Sequence, residues 1–206
     1  MTSRPDYVVI NSIMLQALVA AEEVMGSNGI TAVLRSSGLD HFINNYPPNN
    51  LEPSVKTSEY SRFLHAIEEF YGRASKGMLR RIGKASFQYG IREQPALMGV
   101  TGLVLKLLPE KQRIKLVLNG MINALKKINP EAEMWVEENG DTLAYVAKTC
   151  GVCWGREADH PVCFMYVGSV SEAVLYATGV EHDVVETHCQ AKGDEVCRFE
   201  IGAAKE

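Results

Sequence analysis

Val185-Glu-Thr-His-Cys189-Gln-Ala-Lys-Gly193-Asp-Glu-Val-Cys197-Arg-Phe199 decides how the chain is read. Two short alternating runs, 184–190 and 196–201, flank the polar turn 191–195, and a period of two with a glycine between the runs predicts paired antiparallel strands. Cys189 and Cys197 lie symmetrically about Gly193. A hairpin turning there sets them opposite each other, with Cβ atoms about 4.5–5.5 Å apart. Zn–S bonds of about 2.3 Å place two ligating sulfurs just under 4 Å apart, so such a pair can close on one tetrahedral metal. Glu186 upstream and Cys163 before the next helix would complete a Cys3Glu set. Strict alternation opposes this, because it puts Glu186 and His188 on one face and Cys189 on the other. The set therefore requires a twist or bulge in the strand. His188 and the pair Cys150-Gly-Val-Cys153 are alternative ligands. A cross-strand disulfide, or cysteines serving only as small buried hydrophobes, remain open at this point.

Working upstream, Phe164 to Ala177 reads as a helix ended by Gly179. Met134 to Val136 and Leu143 to Ala147 are alternating runs around Asn139-Gly140, a strong hairpin signal. Before Pro130 the apolar period is near 3.6. Asn11 is placed as the N-cap of a helix through Val24 that stops near Gly26, and a short helix spans 30–39. Residues 44–53, rich in Asn and Pro, read as a loop. Tyr60 to Tyr71 and Arg73 to Tyr89 are amphipathic helices, Pro95 to Leu108 is a shorter apolar one, and Pro109 opens a helix carrying Ile114, Val117, Leu118, Met121 and Leu125. The expected class is α+β: mainly helical over 1–130, then an antiparallel sheet with one inserted helix over 131–206. No linker divides the chain, so one domain over 1–206 is expected.

The 206 residues are 46% hydrophobic and 22% charged, enough for one well-buried core. A formal charge of −4 gives no basic field for phosphates, which argues against direct nucleic-acid binding. No window of about 18 apolar residues suggests a membrane span. The N-terminus is polar where a secretory signal would be apolar. All five cysteines fall between 150 and 197, which suits a reducing compartment and a local site. A cytoplasmic location is expected.

The residues Cys153-Trp-Gly, Pro161-Val-Cys163, Gly168, Gly179 and the run 185–199 closely resemble the 4-vinyl reductase domain family. That family includes bacteriochlorophyll-pathway 4-vinyl reductase proteins and the sensor domains of phenol- and toluene-responsive activators, and it is related to subunits of the TRAPP transport particle. Upstream, Gly38-Leu39, Pro47-Pro48 and the segment Leu105 to Pro109 resemble the tetrapyrrole branch more loosely. The resemblance implies a TRAPP-subunit-like fold, a homodimer, and a hydrophobic cavity between sheet and helices. It also implies a zinc held by Cys163, Glu186, Cys189 and Cys197.

Such a cavity is expected to be lined by Trp135, Tyr145, Trp154, Phe164 and Tyr166, with Met98 and Met121 from the helices, a wall suited to a flat apolar or aromatic molecule. Four protein ligands close a zinc coordination sphere, which makes the site structural. No dinucleotide fingerprint and no nucleophile with its base stand out, so a non-catalytic module that senses or carries a hydrophobic or aromatic small molecule is the favoured expectation. An enzyme or carrier accessory of tetrapyrrole metabolism is the alternative, with a tetrapyrrole as ligand. A scaffold within a larger complex is a third reading.

Overall fold

The computed structural model describes residues 6–93, 107–140 and 142–205. The expected helix at 95–108 and Met98 therefore fall almost wholly outside the described residues.

The chain opens with β1 (Val8–Ile10) and α1 (Asn11–Ser36). Gly26, at φ 74° and ψ 166°, breaks α1 into the two helical stretches read from the sequence. Only glycine takes that backbone conformation without strain. Asn11 is not the cap: Ile10 occupies that position without a side-chain bond, and Asn11 donates instead to Asn50 Oδ1 at 2.9 Å. The expected loop ends in a strand, β2 (Pro53–Lys56), paired antiparallel with β1. Two strands this short carry too few residues to show a period, although the β-branched run Val8-Val9-Ile10 favours extended structure.

Helices α2 (Thr57–Tyr71), α3 (Ser75–Glu93) and α4 (Glu110–Ile128) follow. Strands β3 (Met134–Asn139) and β4 (Thr142–Ala147) form the expected hairpin, with Asn139 opposite Thr142. Then come α5 (Phe164–Thr178), β5 (His182–His188) and β6 (Cys197–Ala204). The four-stranded sheet has the order β3-β4-β6-β5, antiparallel throughout.

Helices α4 and α5 pack on the sheet, α3 on α5, and α1 on α3. The α3–α5 crossing depends on missing side chains. A Cβ at Gly83 would lie 2.0 Å from the Met165 carbonyl oxygen, and one at Gly168 would lie 2.0 Å from that of Arg80. Ser169 Oγ donates to the Gly83 carbonyl at 3.0 Å across the same contact. This close approach fixes the rotation of α5, and hence which of its residues face β5 and which face α4. Among the described residues, no helix is long and apolar enough to cross a membrane.

Candidate metal centre and adjoining cavity

Strand β5 carries the irregularity that a shared metal needs. Glu186 pairs with Phe199 and His188 with Arg198, so the register shifts between them and Thr187 is the extra residue. The bulge rotates the strand end, so Glu186 is buried together with Cys189 while His188 is exposed. Continuing the register beyond His188 and Arg198 brings Cys189 to Cys197. The turn between them is tighter than a simple hairpin: residues 190–192 form a 3₁₀ turn, and Asp194 Oδ2 accepts the Cys189 N–H at 2.8 Å.

Cys163 enters from the N-terminal end of α5. Its N–H donates to Glu186 Oε2 at 2.7 Å, so the carboxylate also satisfies a free donor at that helix end. Glu186 Oε1 is buried without a hydrogen-bond partner. The ligand atoms of Cys163, Glu186, Cys189 and Cys197 all lie within 4.8 Å of one another, with Cys163 Sγ 3.9 Å from Cys189 Sγ and 3.8 Å from Cys197 Sγ. The distances match tetrahedral ligation, and the unpartnered carboxylate oxygen supplies the fourth donor. The buried cluster can hold a metal ion.

Cys150 and Cys153 join the same cluster. Cys150 Sγ is 3.6 Å from Cys163 Sγ, and Cys153 Sγ is 3.4 Å from Cys197 Sγ. No disulfide forms, and all five thiols are free and buried. The loop bearing this pair is anchored by α2 and by the turn at 190–192. Ser61 Oγ on α2 bonds the carbonyls of Val152 and Trp154 at 3.1 and 2.9 Å. Arg156 makes a bidentate pair with Glu68 of α2 at 3.0 and 2.9 Å. The Ala158 N–H donates to the Ala191 carbonyl at 2.8 Å.

Mutual hydrogen bonding divides the thiols. Burial and the neighbouring thiols push Cys163 well above the usual thiol range. At Cys153 the bond to Cys150 pushes upward, but those to Cys163, Cys189 and Cys197 outweigh it and draw the thiol down to about 6. At Cys189 the upward push of Cys153 is outweighed by Cys163 and Cys197, again to about 6. Burial, and then the charge of Cys189, raises the Glu186 carboxyl to about 9. Without a cation the cluster must retain protons, and a metal would displace them.

A cavity of about 200 Å³ lies beside this centre, between β1, α1, α3, α4 and α5. Its wall is mainly apolar, including Ile13, Phe87, Met121, Leu125 and Met165. Thr149 and Gly151 line it, while Cys150 between them belongs to the thiol cluster; likewise Tyr166 lines it one turn along α5 from Cys163. Centre and cavity thus share two segments of chain.

Of the residues expected to line a cavity, Tyr166 and Met121 do so. Trp135, 40% exposed, points to the other face of β3, and its neighbour Met134 lines the cavity, a parity that reverses with one residue of a strand. Tyr145 is fully buried one layer behind, its ring 5.9 Å from Tyr166 and its hydroxyl on Met134 Sδ at 3.3 Å. Phe164 lies outside the lining, with Lys76 Nζ over its ring at 5.2 Å, because α5 turns Met165 and Tyr166 toward the cavity instead. Trp154 is also outside the lining; its carbonyl serves as an anchor for Ser61. The contribution of β1, through Tyr7 to Ile10, escaped the sequence reading. Ser86 Oγ, at the wall, is buried and unpartnered.

The V4R domain pattern matches residues 143–203, so this segment, which holds the Cys3Glu residues, carries the 4-vinyl reductase domain that its motif resembles. No curated protein matches the chain by sequence. Among solved structures, the chain is similar to the Fe(II) unliganded H-NOX protein from K. algicida, at 13% identity and TM-score 0.62, covering 96% of this chain and 97% of that one. It is also similar to an H-NOX structure studied for heme distortion, at 15% identity and TM-score 0.61, covering 93% and 92%. An oxygen-binding H-NOX domain related to soluble guanylate cyclases gives 14% identity and TM-score 0.56, covering 90% and 89%. At these identities the likeness is one of fold, and it bears out the α+β class.

Proposed function

From a chain that carries the V4R domain over residues 143–203, we propose a non-catalytic module that binds one small aromatic or hydrophobic molecule beside a structural zinc. The observation that carries this reading is the shared architecture of cavity and centre: Tyr166 and Cys163 stand one turn apart on α5, and Cys150 sits between the cavity residues Thr149 and Gly151. Cys163, Glu186, Cys189 and Cys197 would hold the zinc. Four protein ligands leave no position for a reacting water, so the metal would supply folding energy and no chemistry.

Volume supports a ligand of one ring. An apolar cavity of about 150 Å³ accommodates benzene, and this one is about 200 Å³. Sites for larger cofactors run to roughly 300–1,000 Å³, so an enclosed tetrapyrrole is disfavoured. The H-NOX neighbours include oxygen-binding and heme proteins. None of the five histidines lines the cavity and the cysteines face the thiol cluster, so the cavity offers neither an imidazole nor a thiolate to a heme iron. Ser86 Oγ offers one hydrogen bond to a polar substituent.

The resemblance adds a homodimer in the cytoplasm to this proposal, which light scattering of the purified protein checks in part. The direct test is a thermal-shift and ligand-observed NMR panel of toluene, phenol, indole and cyclohexane. Stabilisation by ring-sized members, abolished by Ala124→Phe filling the cavity, is expected. A panel without a binder would remove the ligand-binding reading.

A further inference from the structure

We propose that the cluster holds two divalent metal ions, with Cys163 and Cys197 as shared thiolates between a Cys3Glu site and a second, all-cysteine site completed by Cys150 and Cys153. The proposal extends the zinc site of the preceding section. It assigns a role to the two cysteines that the Cys3Glu set does not use.

Among the described residues two tetrads of ligand atoms occur, Cys163-Glu186-Cys189-Cys197 and Cys150-Cys153-Cys163-Cys197, each with all atoms within 4.8 Å. They have one edge in common, the Cys163–Cys197 pair at 3.8 Å. A tetrahedral ion with Zn–S bonds near 2.3 Å has edges of about 3.8 Å. Three further edges, 3.6 Å for Cys150–Cys163, 3.4 Å for Cys153–Cys197 and 3.9 Å for Cys163–Cys189, bracket that value. Two tetrahedra joined along an edge are the geometry of a dinuclear centre with two bridging sulfurs.

Filling of the core by thiols alone would explain burial but not the directed bonds around them. The Gln190 N–H points at Cys197 Sγ at 3.4 Å, as expected where sulfur carries negative charge. Ser61 and the Arg156–Glu68 pair tie the Cys150–Cys153 loop to α2, and the Ala158–Ala191 bond ties it to the turn that follows Cys189. Such anchoring is costly for a loop that merely fills space.

Charge is consistent as well. Loading the Cys3Glu site deprotonates its ligands. A second divalent ion entering with loss of the Cys150 and Cys153 thiol protons leaves the net charge of the cluster unchanged. The residual negative charge faces the Arg156 guanidinium and the N-terminal end of α5. The ligand set selects the metal class: five thiolates favour a thiophilic ion, and the hard carboxylate of Glu186 favours Zn²⁺ over Cu⁺.

The test is metal stoichiometry on the full-length reduced protein, loaded anaerobically with Zn²⁺, desalted, and measured by elemental analysis and native mass spectrometry. Two zinc ions per chain are expected, and one in a folded Cys150→Ser/Cys153→Ser variant. Titration with Co²⁺ provides a readout independent of any variant. Sulfur-to-cobalt absorption should grow through two equivalents, and the electron paramagnetic resonance signal should fall on the second, because shared thiolates couple the two ions. Saturation at one ion per chain would overturn the second site while leaving the Cys3Glu site intact. Failure to hold any metal would overturn both. Iron with acid-labile sulfide, or loss of both ions from the folded double variant, would also overturn the division into two sites.

Discussion

Glu186 reaches from the edge strand β5 to accept the main-chain N–H of Cys163 at 2.7 Å, and its second oxygen, buried and without a partner, faces the cluster. One carboxylate thus joins the end of the sheet to the start of α5, the helix that also walls the cavity. Whatever is bound at the cluster acts on both.

Metal removal is therefore expected to loosen more than the turn at 189–197. Cys189→Ser, or a strong chelator, should lower stability by about 4 kcal/mol or more, in the range reached when a structural metal is lost. Hydrogen exchange should rise along β5, β6 and the first turns of α5 together. Unchanged protection in α5 would contradict the coupling drawn from Glu186.

A ring-sized ligand at a hundred times its Kd should stabilise the protein by about 2.7 kcal/mol. For a chain of this size that corresponds to a rise in Tm of roughly 5–11 °C. Differential scanning calorimetry with and without ligand measures it directly.

The α3–α5 crossing predicts opposite outcomes for two glycines on one helix. Gly83→Ala drives a methyl into the Met165 carbonyl and should cost at least about 3 kcal/mol, the upper end for overpacking. Gly77→Ala meets nothing within 4 Å and should be neutral or stabilising by up to about 1 kcal/mol. Chemical denaturation of both variants tests the pair.

Glu68→Ala strands the Arg156 guanidinium, whose side chain is 9% exposed, beside the cysteine loop. Removing one partner of a buried pair costs about 3–5 kcal/mol. The variant should unfold earlier and, after metal loading, release zinc faster to a competing chelator than the parent protein.

Acid stability has a separate, local contributor. Lys111, and then Lys115, bond to Glu138 and hold its carboxyl down at about 2. Because the folded value lies below the unfolded one, this stabilisation is present above about pH 4.5 and is lost as the pH falls through about 2. Glu138→Gln should lower Tm at neutral pH, and the gap to the parent protein should close between pH 4.5 and 2. As the group is exposed, salt should shrink the gap too.

Local pattern was sufficient for most of the framework. The 3.6 period located α2, α3 and α4, Gly26 marked the break in α1, and Asn139-Gly140 marked the β3–β4 hairpin. These are properties of neighbouring residues, and neighbouring residues are what a sequence displays. The pair β1–β2 was missed because its evidence is a contact between strands of three and four residues more than forty positions apart.

By itself the sequence determined the α+β class and the candidate ligands Cys163, Glu186, Cys189 and Cys197, since residue type, the spacing about Gly193 and the V4R motif are linear features. Tertiary structure alone decided that Thr187 bulges so that Glu186 and Cys189 can face one point, and that Cys150 and Cys153 arrive at the same point. It alone placed Met134, and not Trp135, at the cavity. Each of these depends on the rotation of a segment about its own axis, and packing against distant elements sets that rotation.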